Sequence, residues 1–245
     1  MIVNLLQRTG NGGMLFIPLC ALWVLAIGPH AHAATPAEWE QCNKGELPAC
    51  TRIIQNKRES LADRIQAYVR RGWAHSFKKD YESAYADMGE AIKLNPAVAE
   101  TYETRARLLK EAGEIDRPIA DFTAAIGLED SAYRRHNRGE IYRKKGDEGL
   151  AIEDFRKAVV LLSEQIAVRP DAHWSYKSRS EANREAGNID DAITDFDLFL
   201  KLKPKTDYPY VIGERGDLFL RKAAFDQAIA DYTEALKQAP DSTEW

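Results

Sequence analysis

The stretch Gly139-Glu140-Ile141-Tyr142-Arg143-Lys144-Lys145-Gly146-Asp147-Glu148-Gly149-Leu150-Ala151-Ile152-Glu153-Asp154-Phe155-Arg156-Lys157-Ala158 carries a spacing that returns along the chain. A small residue is followed by alanine 12 positions on, an aromatic 16 on and a second alanine 19 on. Upstream the same offsets give Gly72, Ala84, Met88 and Ala91, then Ala106, Pro118, Phe122 and Ala125. Downstream they give Ser180, Ala192, Phe196 and Phe199, then Gly216, Ala228, Tyr232 and Ala235. Helix packing explains the residue types. A small residue lets one helix approach another closely, and the aromatic and alanine of the second helix interdigitate with it as ridges into grooves. Gly113, Gly146 and Gly187 suit left-handed C-caps between helices. Pro118 is tolerable in a first helical turn if Asp116 is the cap. Phe199, where a small residue is usual, is expected to push one helix pair apart.

Five copies in register resemble the tetratricopeptide repeat. The resemblance covers about 62–240 and implies an all-α fold. That fold is a right-handed superhelical solenoid of about five helix-turn-helix repeats, at 65–98, 99–131, 132–172, 173–208 and 209–240. An N-terminal helical cap with a cysteine pair is expected over 34–61, ahead of a repeat domain over 62–245. Successive small positions lie 34, 33, 41 and 36 residues apart, against a family period of 34. The seven extra residues fall in 159–170, where Val159, Leu162 and Ile166 keep one helical face and no breaker precedes Pro170. They predict a second helix longer by about two turns, roughly 10 Å, that projects from the stack or changes its angle.

Arginine recurs at one repeat position, as Arg71, Arg105, Arg138, Arg179 and Arg215. Aspartate recurs 16 residues later, as Asp87, Asp121, Asp154, Asp195 and Asp231. Equal numbers of opposite charge at fixed spacing predict a ladder of interhelical ion pairs. A charged binding surface is the alternative.

The chain has 245 residues, 44% of them hydrophobic and 29% charged, with a formal net charge of -4. That is the balance of a folded chain, and it lacks the basic excess usual for nucleic-acid binders. The apolar residues are unevenly placed. Residues 1–13 carry one charge, Arg8, and an apolar run over 14–27 leads to Gly28-Pro29 and Ala31-His32-Ala33. This is the order of a secretory signal peptide over 1–33, with an A-x-A cleavage site. The run is shorter than the roughly 20 residues of a spanning helix. An uncleaved inner-membrane anchor through 14–34 is the alternative, and no small residues precede Cys20 as a lipoprotein signal needs. Cleavage after Ala33 leaves 212 residues and a net charge of -5. Export, to a bacterial periplasm, would allow Cys42 and Cys50 to pair across the turn formers Asn43, Gly45 and Pro48. Two buried thiols are the alternative. The segment 47–54 resembles a repeat's second helix, with Cys50 at the aromatic position and Trp39 beside it. No capping helix is expected beyond the last repeat, which leaves self-association there as an option.

No catalytic residues, metal ligands or cofactor are expected. His75, His136 and His173 lie in three different copies, and no H-E-x-x-H, G-x-S-x-G or phosphate loop is present. The resemblance implies instead a concave groove lined by the second, fifth, ninth and twelfth positions of each copy. Among these, Trp73, Arg107, Tyr133, His136, Arg143, Trp174, Lys177 and Arg184 are the candidate partner-binding residues. Aromatic and arginine side chains are the types that most often anchor interfaces, although Trp73 and Trp174 could equally pack between copies. Glu181 at a ninth position does not support the carboxylate clamp of some family members. The function expected is a non-enzymatic scaffold or adaptor of the bacterial cell envelope that binds a protein or peptide. A non-catalytic regulatory subunit of an envelope enzyme and a self-assembling solenoid are the alternatives. Nucleic acid is not an expected partner, and membrane contact is expected only if the signal stays attached.

Overall fold

Capping side chains and glycines cut the chain into α-helices throughout the described residues, 33–202 and 208–240, of the computed structural model. Two short helices come first, α1 (Pro36–Asn43) and α2 (Leu47–Gln55). Ten more follow as consecutive pairs: α3 (Leu61–Phe77) with α4 (Tyr81–Leu94), α5 (Ala99–Glu111) with α6 (Asp116–Leu128), and α7 (Ala132–Lys145) with α8 (Glu148–Val168). The last two pairs are α9 (His173–Ala186) with α10 (Ile189–Leu202) and α11 (Pro209–Arg221) with α12 (Phe225–Gln238). Each helix packs chiefly on its neighbours in sequence, so the molecule is a helical solenoid. Residues 1–32, on which nearly all of the expected signal peptide over 1–33 falls, and residues 203–207 and 241–245 lie outside the described residues.

Local chemistry sets the helix ends. Thr35 and Glu38 form a reciprocal capping box on α1. Ser60, Asp80 and Ser131 each accept a backbone N–H three residues on. Gly113, Gly146 and Gly187 take left-handed φ of 84°, 92° and 87° at helix ends. One expected cap differs. Ile115, not Asp116, occupies the N-cap of α6, and the Asp116 carboxylate accepts instead from Lys145 Nζ at 2.8 Å.

The core is renewed pair by pair rather than gathered in one place. Met88, Phe122, Phe155 and Phe196 are each fully buried beside the small position of their own repeat. At Gly139 an added Cβ would sit 2.9 Å from the Phe155 ring and 3.2 Å from Ala151 O. Ser180 fits the equivalent place because its hydroxyl donates to Ala192 O at 2.7 Å.

All five arginine–aspartate pairs form. In each, Nε donates to Oδ2 at 2.7–2.9 Å and Nη2 to Oδ1 at 2.6–2.8 Å. These are bidentate links between the two helices of one pair. The remaining guanidinium nitrogen reaches back to the preceding pair. Nη1 donates to Thr51 from Arg71, to Thr123 from Arg138, to Ser163 from Arg179 and to Asp197 from Arg215. Each arginine therefore ties three helices. Arg105 reaches back differently, over the Tyr85 ring of α4 at 4.9 Å and without such a hydrogen bond among the described residues, because Gly89 stands where the other second helices carry an oxygen, with its added Cβ 3.8 Å from Arg105 Nη1. Gly89→Ser is expected to stabilise the fold by about 0.5–1.5 kcal/mol, from helix propensity and a charge-assisted hydrogen bond. A urea midpoint unchanged or lowered would show that the backward link carries no energy.

The lengthened helix does not project. Its two extra turns lie along α9, burying Leu162 and Ile166, and Ile166 joins Tyr176, Phe196 and Phe199 in one cluster. The Tyr176 hydroxyl donates to Pro170 O at 3.1 Å and pins the turn that follows. Seven residues are close to two whole turns, so Ser163 presents to Arg179 the face that Arg156 would otherwise hold. Phe199 is accommodated rather than excluded, ringed by His173, Trp174 and Tyr208 at 5.2–5.8 Å.

At the ends the surfaces differ. Cys42 and Cys50 form a disulfide, buried with Ile53 and Ala67 and flanked by Trp39. On α12, Ile229 is 62% exposed, whereas Ile193 at the equivalent position of the previous repeat is 9% exposed.

Candidate functional site

The first helices of the five pairs, α3, α5, α7, α9 and α11, stand side by side, and side chains bridge each to the next. Arg107 lays its guanidinium over the Trp73 ring at 5.3 Å, joining α5 to α3. Glu103 accepts from Arg134, and Lys110 donates to Glu140 at 2.6 Å, joining α5 to α7. Arg143 bonds Glu185 of α9, and Lys177 of α9 lies 3.8 Å from Glu214 of α11. Two clefts open on this wall.

The first, about 510 Å³, lies between α3 and α5, with Ile65, Val69, Trp73, Val98 and Arg107 among its lining. One turn beyond Trp73, Phe77 stands 84% exposed, their rings 6.4 Å apart. The second, about 340 Å³, lies among α7, α8 and α9. Its floor is Ala132, Ala158, Leu162 and Ala182, which form one apolar cluster. Its rim carries Tyr133, His136, Gln165, Ser178 and Glu181. Leu162 and Gln165 come from the lengthened part of α8, so the extra turns build one side of this cleft.

Polarity around the second cleft is specific. Among the described residues, the side chains of Tyr133, Gln165 and Ser178 make no hydrogen bond within the protein. His136 stacks edge-on to Phe155 at 5.3 Å. Burial holds its pKa below the ordinary histidine range, against the pull of Glu140, Glu181 and Glu185. The imidazole is therefore neutral at pH 7 and offers one donor and one acceptor.

The sequence-predicted residues divide accordingly. Trp73 and Arg107 meet at the first cleft, and Tyr133 and His136 meet at the second. Arg143 is engaged by Glu148 and Glu185 and lies over the Phe155 ring at 4.8 Å. Lys177 bonds Glu181 and lies over the Tyr210 ring at 5.4 Å. Arg184 donates to Glu185 at 3.0 Å. Half-exposed Trp174 packs on Phe199 and Tyr208 at 5.3 and 5.8 Å. On Glu214 burial raises the carboxyl pKa, opposed by Lys177. Gln165, Ser178 and Phe77 escaped sequence reasoning. The unbroken apolar face of 159–166 was the one available signal for the first of them.

Chemistry-bearing groups are dispersed. His75 bonds Asp80 at 2.9 Å on one repeat, and His136 and His173 lie on two others. Among the described residues no group of three or more His, Cys, Asp or Glu could hold a metal ion. Nor is any described helix long and apolar enough to cross a membrane.

Known proteins match this architecture. The family model for the tetratricopeptide repeat matches residues 65–98 and 132–160. Tetratricopeptide repeat protein 13 of Homo sapiens is 33% identical over 147 residues, 58% of this chain and 16% of that protein. Superkiller complex protein 3 of Mus musculus is 25% identical over 237 residues, covering 82% of this chain and 15% of its own length. The chain thus spans about a sixth of these relatives. Among solved structures, the type IV pilus biogenesis factor PilW superposes with a TM-score of 0.61 at 18% identity, over 89% of this chain and 97% of that one. YrrB, described as a TPR protein with an unusual peptide-binding site, does so with 0.55 at 17%, over 80% and 94%. Family model, relatives and superpositions agree with five renewed helix pairs closed by small residues: the chain belongs to the tetratricopeptide-repeat family.

Proposed function

We propose that this protein is a non-enzymatic interaction scaffold that binds an extended segment of a partner protein along the wall of first helices. The observation that carries the reading is the second cleft. It combines an apolar floor of Ala132, Ala158, Leu162 and Ala182 with three rim side chains that have no hydrogen-bond partner among the described residues. A few polar groups around an apolar hollow are the usual make-up of a recognition site. Trp73 with Arg107, at the first cleft, forms another anchor point, and Tyr133 with His136 borders the second cleft. Arg143, Lys177 and Arg184, held in ion pairs on α7 and α9, set the charge pattern beside the second cleft, and Trp174 flanks it. YrrB's description as a peptide binder supports the same use of the fold. The place proposed is outside the cytoplasm, in a bacterial envelope. The leader pattern of 1–33 and the Cys42–Cys50 disulfide support it, and PilW is a pilus biogenesis factor.

A phage-displayed library of random dodecapeptides, selected on the protein, tests the reading. Selected peptides are expected to share one large apolar residue. Ala182→Leu, which fills the second cleft, is expected to weaken them at least tenfold, about 1.4 kcal/mol, and Trp73→Ala to weaken them less. Failure to select any peptide, or peptides indifferent to both substitutions, would place the function elsewhere.

A further inference from the structure

The leader and the fold meet at residue 34. In the sequence, Ala31-His32-Ala33 sets a cleavage site between Ala33 and Ala34. In the structure, Ala33 is exposed, whereas the Ala34 side chain packs on the cap cluster of Cys42, Cys50 and Ile53. The Ala34 backbone nitrogen donates to Glu59 Oε1. Glu59 is 8% exposed, and Asn56 Nδ2 donates to the same oxygen at 3.0 Å. Among the described residues no lysine, arginine or histidine pairs with this carboxylate. A buried carboxylate without a cation is costly, and the atom facing it is the one that leader removal would charge.

We propose that Glu59 is the receptor for the new amino terminus. Water hydrolyses the Ala33–Ala34 peptide bond, the Ala33 carboxylate leaves with the leader, and the Ala34 amine takes up a proton to become an α-ammonium. That ammonium pairs with Glu59 across the hydrogen bond the amide already makes. Processing then completes the cap that covers α3. The inference rests on the export reading above. Glu38 and Arg52, 3.4 Å apart, are the charged groups lining the crevice at Ala34.

Pairing raises the amine pKa above its ordinary value of about 7.7–8.0. Its stabilisation is therefore complete below about pH 8 and lost as pH rises through the higher folded value. The test is to express the full chain, leader included, in an exporting bacterial host and to read the purified product by intact mass and N-terminal sequencing. Ala34 is expected as the first residue. Its amine is expected to react with an acetylating reagent at pH 7 about tenfold more slowly in the folded protein than in urea, which corresponds to one unit of amine pKa. Glu59→Gln is expected to abolish that protection and to flatten the fall of Tm between pH 7 and 10. A first residue other than Ala34 overturns the inference, and a retained leader overturns the export reading with it. Ala34 at the terminus with equal folded and unfolded reactivity overturns the pairing and leaves export standing.

Discussion

Replacing Asp154 by alanine is expected to destabilise the protein by about 3–5 kcal/mol, the cost of leaving a buried charge without its partner. Asp154 is 2% exposed and accepts from Arg138 Nε at 2.7 Å, Arg138 Nη2 at 2.8 Å and Arg135 Nη1 at 3.0 Å. Arg135 keeps Asp130, at 2.7 and 2.9 Å, when Asp154 is lost. Arg138 keeps its Thr123 hydrogen bond and its place over the Tyr142 ring at 5.6 Å, but no carboxylate among the described residues. The loss is therefore asymmetric. Arg138→Ala leaves Asp154 still paired to Arg135 and costs less than Asp154→Ala does. At Arg105–Asp121, where no second arginine among the described residues bonds the carboxylate, the two single changes are expected to cost nearly the same. Combining Arg138→Met with Asp154→Leu is expected to recover much of the loss, because well-packed apolar residues often replace a buried ion pair without penalty. With the matched Arg138→Ala/Asp154→Ala double, urea unfolding followed by circular dichroism measures all four corners of the cycle, and additive single costs would mean that the pair does not act as a unit. Since a repeat array is quasi-one-dimensional, a lesion in the third repeat is also expected to broaden or split the transition.

Phe155→Ala is expected to cost about 3–5 kcal/mol, the range for emptying a buried aromatic site. The ring is fully buried between the first and second helices of its repeat and also touches His136 and Arg143. Gly139→Ala, by contrast, adds a single methyl yet is expected to cost about 1–3 kcal/mol by overpacking. It does so against a helix-propensity gain of about 1 kcal/mol, because the Cβ would stand 2.9 Å from a ring with nowhere to move. The sign of the second substitution depends on the first. With Phe155 already alanine, the obstruction is gone, and Gly139→Ala is expected to become neutral or stabilising. Thermal midpoints of the two singles and the double decide this. A Gly139→Ala penalty that persists without the ring would point to Ala151 O, 3.2 Å away, as the limiting contact.

Much of this was legible because it depends on residues at fixed separations in one chain. Gly139 and Phe155, or Arg138 and Asp154, lie 16 or so residues apart, across one helical hairpin whose geometry repeats five times. A regularity in sequence then becomes a contact. The lengthened helix marks where such reading stops. Its seven residues were visible, but whether they would project depended on α9 offering Tyr176 and on Phe196 and Phe199 lying beneath Ile166. The candidate site was less legible still. Ala132, Ala158 and Ala182 are unremarked alanines until three helices bring them to one floor. Lys177 and Arg143 read as free charges until Glu181, Glu148 and Glu185 meet them.

By itself, then, the sequence determined the helix pairs, the close approaches at the small residues and the five ion pairs, since short-range spacing suffices for each. Tertiary structure alone decided where the stack opens into clefts, which charges are already spent on neighbours, and that Glu59 faces the nitrogen of Ala34. Those depend on contacts between elements whose separation no period encodes.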